Sequence, residues 1–205
     1  MKKLLLSFAM IIATVGSAQA EWHESGVLTG DIGGVHHELR SYYTQVADDV
    51  ADGIEDEAVR DFAERYAGTV QHTATYRYAE GMEMAGIVLM PPTIWVNIGV
   101  RTDADQSVPG RLDVEFALDP ETLALVEDTP VIRFYIDDWN LYDYYGLTEG
   151  ELLIDEIVDN GDDTWTMTGR IIGTLTHQTS LTMNHNADDA RAIDVSFVIE
   201  TLAGR

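Results

Sequence analysis

The sequence predicts an all-β fold: an antiparallel β-sandwich or, alternatively, a barrel or calyx, with one short amphipathic helix inserted. Three observations predict it. Apolar residues recur at every second position in several separate runs. Glycine, proline and Asn-Gly signals separate those runs at hairpin spacing. One stretch alone, about residues 48–68, carries a helical period.

The elements follow in chain order. Residues 1–20 read as a cleaved export signal: Lys2 and Lys3, an apolar run Leu4–Val15, and the small-x-small site Ala18-Gln19-Ala20. The apolar run is too short to span a bilayer as a helix. The expected location is therefore periplasmic or secreted, with 21–205 a single β-rich domain. Gly33-Gly34 marks a first turn. Between Glu55 and Ala67 the apolar positions Ala58, Val59, Phe62, Ala63, Tyr66 and Ala67 form a helical stripe, with acids at its start and Gly68 as the residue ending it. Alternation then predicts strands. Val70, His72, Ala74, Tyr76 and Tyr78 share one face; Ile94, Val96, Ile98 and Val100 share the next; Leu112, Val114, Phe116 and Leu118 form a third. Trp165, Met167, Ile171 and Leu175 lie opposite threonines, and Ile193, Val195, Phe197 and Ile199 close the series. Asn160-Gly161 sits within a hairpin-like Asp159–Asp163 segment.

Composition excludes several chemistries. The two leader lysines are the only lysines, and there is no cysteine, so Schiff bases, thiolate nucleophiles, thiolate metal sites and disulfides are ruled out beyond the leader. The ten remaining basic residues are arginines, set against 36 acidic residues. A surface this acidic repels nucleic-acid phosphates and anionic membranes. No Gly-x-Ser-x-Gly elbow or phosphate loop is present. A hydrolase built on dispersed carboxylates needs no linear motif.

Two segments draw attention as sites. Cleavage after Ala20 exposes Glu21-Trp22-His23, whose α-amine, two amide nitrogens and His23 imidazole make a square-planar set suited to copper(II) or nickel(II). Phe134–Tyr145 holds six aromatics interleaved with acids. Its Tyr135, Asp137, Asp138, Trp139, Tyr142 and Tyr144 combine stacking faces with fixed acceptors, as a sugar, a cationic ligand or a protein partner needs. Calcium is a further candidate at Asp103–Ser107 or Asp159–Asp163, although Val108 and Val114 stand where an EF-hand loop needs glycine and glutamate. The methionines Met82, Met84 and Met90 suit copper(I), but lie in an apolar run that predicts core filling.

The reading that follows is an exported, non-enzymatic β-sandwich module binding a protein partner or a small ligand. The alternative is a periplasmic copper- or nickel-binding protein using the Glu-Trp-His terminus. Length and alternation also permit a small outer-membrane barrel, against which stand the charged insert and the many acidic outward positions.

Overall fold

Strict alternation in the sequence becomes strand pairing in space. The structure, a computed structural model, describes residues 21–84, 86–102, 110–136, 142–179 and 184–204. The leader, the Asp103–Ser107 run and Asp137, Asp138 and Trp139 lie outside the described residues. The strands are β1 (Trp22–Ile32), β2 (Val35–Gln45), β3 (Val70–His72), β4 (Ala74–Ala79), β5 (Met82–Met84), β6 (Ile87–Met90), β7 (Thr93–Arg101), β8 (Arg111–Leu118), β9 (Val131–Tyr135), β10 (Asp143–Asp159), β11 (Thr164–Thr179) and β12 (Asn184–Gly204). The single helix among the described residues is α1 (Glu57–Glu64). The fold is all-β, as the alternation predicts.

Ten strands form one sheet in the order β11-β10-β9-β8-β7-β4-β12-β1-β2-β3, and β5 and β6 form a second sheet. The extra pairing of β11 with β12 makes the path β11-β10-β9-β8-β7-β4-β12 return to its first strand. Almost every pairing is antiparallel; the short contact of β12 with β4 at Ala203↔Thr75 is parallel. The alternating residues become the core. Ile94, Val96, Ile98 and Val100 from β7, Leu112, Val114, Phe116 and Leu118 from β8, and Ile193, Val195, Phe197 and Ile199 from β12 are buried in one cluster. Met167, Ile171 and Leu175 of β11 join them.

The run from Val70 to Tyr78 is two strands rather than one, and Thr73 is the reason. Its N–H donates to the Tyr42 carbonyl, its Oγ1 accepts from the Tyr42 N–H, and its carbonyl accepts from the Gly99 N–H. The chain changes partner there, from β2 to β7.

The chain divides into two compact units, one containing Tyr43–Gln71 and the other Glu24–Tyr42 with His72–Arg205. In the first, α1 is shorter than its stripe suggests. Asp56 caps it by accepting from the Val59 N–H, and Arg65 ends it. Gly68 is therefore not the residue that terminates the helix. It has φ +70° and donates to the Val46 carbonyl, closing the turn beyond. Of the stripe, Ala63 is buried, while Phe62 and Tyr66 pack against each other at 5.0 Å.

Two turns match their sequence signals. Gly33 and Gly34 both take positive φ between β1 and β2, the geometry a two-residue hairpin requires. Asn160 and Thr164 close the β10–β11 hairpin around Gly161. A third turn follows β8. Asp119 Oδ1 accepts from the N–H groups of Glu121 and Thr122 and from the Thr122 hydroxyl. Those bonds from Thr122 hold its carboxyl below the ordinary value of 3.8. A lowered folded pKa stabilises the turn above the unfolded value and ceases to do so as pH falls through the folded one. We expect the Asp119 carboxyl carbon, followed by NMR, to titrate below the ordinary value of 3.8, with the 119–124 amides losing exchange protection in that window.

The methionine run departs from expectation. Met82, Met84 and Met90 are 50%, 64% and 48% exposed, so they do not fill the core. They belong to the separate β5–β6 sheet, none of whose described side chains joins the main cluster.

Candidate functional site

Every core-facing position on a strand leaves its neighbours facing the other way. On β4, β7, β8 and β9 many of those neighbours are polar, aromatic or cationic, and cross-strand register sorts them into rows. Arg77, Trp95 and Ala117 form one row; Thr75, Asn97, Glu115 and Val131 the next. Gly99, Asp113 and Arg133 form a third, continued by Gly146 on β10. Arg40, Arg101, Arg111 and Tyr135 form a fourth, across β2, β7, β8 and β9.

A groove of about 420 Å³ runs over this face, lined by His72, Arg77, Trp95, Asn97, Arg101 and Arg111 among others. That volume lies in the range of small-molecule sites. Its floor is formed by strands rather than loops, which fixes the side chains' spacing.

Charge sets this face apart. The strands β4, β7, β8 and β9 carry four arginines against two carboxylates, Asp113 and Glu115. Strands β10, β11 and β12 carry two arginines against ten carboxylates. Three arginines in register on β2, β7 and β8 repel one another unless anions compensate. Arg40 pairs with Glu24 at 3.1 Å and with Glu38, and Arg111 grips Asp113 with two bonds of 2.6 and 2.7 Å. Arg133 pairs with Glu115 at 3.3 Å. Arg77 is exposed and makes no ion pair among the described residues.

Two of the aromatic residues singled out in the sequence border this face. Tyr135 is buried, with Arg111 5.5 Å from its ring centroid, and Tyr144 lies 5.7 Å from Arg133. The two rings are 5.7 Å apart. Burial, and then Asp113, raises the Tyr135 phenol. Tyr142 is half exposed in the turn before β10. Asp137, Asp138 and Trp139, the centre of the segment, lie outside the described residues.

The other half of that segment faces inward. Phe134 and Tyr145 are core residues paired across β9 and β10. Around Tyr145 gathers a polar end layer. Its hydroxyl donates to Asp189 at 2.9 Å and accepts from Arg191 at 3.0 Å, while the Arg191 guanidinium lies 4.1 Å from the ring centroid. His177, opposite Tyr145 in the register, bonds Asp143, and His37 meets the edge of Phe134 at 5.4 Å. Burial, then the bond to Asp189, raises the Tyr145 phenol; burial, then His36, lowers His37. These groups satisfy one another where the apolar core ends, the arrangement that buried polar atoms require.

The remaining candidates are local. His23 is exposed in β1 and stacked on Tyr43 at 5.0 Å, and the Glu21 carbonyl accepts from Thr44. Square-planar chelation takes the amide nitrogens of Trp22 and His23, so metal binding there means releasing the first residues of β1 from this arrangement. For a chain processed after Ala20, the expected result is equimolar copper(II) binding that His23→Ala abolishes, read from the visible absorption of the complex. In the Asp159–Asp163 hairpin, Asp159 accepts from Gly161 and Asp162 from Thr164, so those carboxylates close the turn. Among the described residues no three His, Cys, Asp or Glu side chains are placed to share a metal ion, and no helix is long and apolar enough to cross a membrane.

No protein-family profile, curated protein or solved structure matches this chain. Its chemistry is therefore read from the site alone.

Sequence reading singled out Tyr135 and Tyr144 but passed over Arg77, Trp95, Asn97 and Arg111. No linear signal marks them: between residues 77 and 133 four arginines stand among ten acids, and only the strand register brings Arg77, Trp95, Asn97 and Arg111 onto one face.

Proposed function

We propose that this protein is an exported β module that binds a small carboxylated sugar on the outward face of β4, β7, β8 and β9. One observation carries the reading: the groove over Trp95 is cationic in a chain with a formal charge of −24. Such a groove attracts anions locally while the rest of the surface repels them.

The side chains favour a sugar acid over a bare phosphate. The Trp95 indole offers a stacking surface for a pyranose. Arg77, exposed and without an ion pair among the described residues, suits a carboxylate. Asn97 supplies an amide donor and acceptor, and Glu115 an acceptor for hydroxyl groups. Indole, guanidinium and amide are groups of recognition, so binding is favoured over catalysis. The leader-like segment 1–20 supports export.

The test is calorimetric titration with trigalacturonate and with its methyl ester, which keeps the rings and removes the charge. The acid is expected to bind at least about tenfold more tightly than the ester, the consequence of losing one charge-assisted hydrogen bond. Equal affinities, or no binding of the acid, would contradict the proposal.

A further inference from the structure

A second feature, the hairpin between β4 and β7, has different chemistry. Three of the five methionines beyond the leader sit in the nine residues of the β5–β6 hairpin. Met82 pairs with Met90 and Met84 with Ile87, while Glu83 pairs with Val88. The register shift between Met82 and Glu83 leaves Leu89 as the extra residue of a bulge. Because of it, Met90 returns to the face that Met82 and Met84 share, two positions apart on the facing strand. Directly opposed side chains start about 5 Å apart and same-face neighbours about 7 Å apart, within the span of flexible thioether arms.

The placement is held by backbone. A Cβ on Gly81 would lie 2.8 Å from the Met90 carbonyl oxygen and 2.8 Å from Pro92, so only glycine lets the start of β5 run this close to the end of β6. The three side chains nevertheless remain about half exposed or more, at 50%, 64% and 48%. By contrast, Met167 is fully buried in the core. A packing role accounts for Met167 and leaves the hairpin trio unexplained.

We infer that Met82, Met84 and Met90 form a trigonal thioether site for a soft monovalent ion, copper(I) in its chemical class. Thioethers are neutral and polarisable, so they favour Cu(I) over hard or divalent cations. The exposed Glu80 and Glu83 beside them, in a strongly acidic chain, favour the cation's approach without supplying a competing hard-ligand cage. In a chain with no cysteine these are the softest side chains available, and unlike thiols they form no disulfides. The site is independent of the copper(II) chemistry of the Glu21-Trp22-His23 terminus, which uses nitrogen ligands. It is also independent of the sugar-acid groove.

The experiment uses silver(I), a redox-inert probe of the same softness, added to the full chain with methyl-labelled methionine. The expected result is one bound equivalent that shifts the ε-methyl resonances of Met82, Met84 and Met90 and leaves Met167 in place. Replacing Met82 and Met84 together by leucine keeps the apolar volume and should abolish stoichiometric binding, with the Met167 resonance unmoved as the control for folding. Unmoved hairpin resonances, a shift of only one of the three, or full binding by the double variant would overturn the site.

Discussion

Replacing Gly173 by alanine is expected to destabilise the protein by roughly 1–3 kcal/mol, seen as a lowered denaturant midpoint with an unchanged slope. Gly173 on β11 faces Gly150 on β10 in the register. A Cβ at Gly173 would lie 2.1 Å from the Glu149 carbonyl oxygen and 2.8 Å from the Gly150 Cα. One at Gly150 would lie 2.2 Å from the Ile172 carbonyl oxygen, at a φ of +133° that L side chains rarely adopt. Both collisions are with backbone, so no rotamer relieves them. Gly150→Ala should therefore cost a similar amount. The comparison is Phe116→Ala, which empties a fully buried site and should cost about 3–5 kcal/mol. A glycine variant as stable as the parent would show that the two strands do not approach this closely.

The second large effect is on binding. Arg77→Ala and Trp95→Ala should each weaken trigalacturonate affinity by about tenfold or more, through loss of a charge-assisted bond and of a stacking face respectively. The stability cost separates them. Arg77 is exposed and unpaired among the described residues, so its replacement should move unfolding by no more than about 0.5 kcal/mol. Trp95 is partly buried, and its loss removes packing as well as contact. Titration calorimetry beside denaturant unfolding reads both quantities. Arg77→Glu should be worse than Arg77→Ala for the acid and indifferent for the methyl ester, because only the acid carries the charge that is repelled.

The regular strands were legible in the sequence, and the irregular ones were not. β7, β8 and the second half of β12 alternate without interruption, and every apolar position assigned to them is buried. β1 and β10 were missed as strands for a physical reason. Each contains glycines where a neighbouring strand passes too closely for a Cβ, at Gly26, Gly30 and Gly150, and glycine interrupts an apolar pattern. In β10 two register shifts, between Leu147 and Glu149 and between Ile154 and Glu156, also change the phase of the alternation. The hairpin methionines misled in the opposite sense: an apolar run reads as core, yet β5 and β6 pair only with each other.

The groove was half legible. Arg77, Asn97 and Glu115 each appear as the wet face of a predicted strand. Their convergence depends on the register of β4 with β7 and β7 with β8, a pairing across sequence separations that periodicity does not encode. The aromatic segment Phe134–Tyr145 was found because it is local. Its division, with Tyr135 and Tyr144 outward and Phe134 and Tyr145 inward, follows from strand geometry once β9 and β10 are placed side by side.

The most direct test of the sugar-acid site is NMR observation of the arginine side-chain and tryptophan indole N–H resonances during titration with trigalacturonate. Arg77 Nε–H, Arg111 Nε–H and the Trp95 indole N–H should move together in one saturating transition, while Arg170 and Arg191 stay fixed. Movement of Arg170 or Arg191 instead, or no saturable movement of Trp95, would contradict a site on the face of β4, β7, β8 and β9.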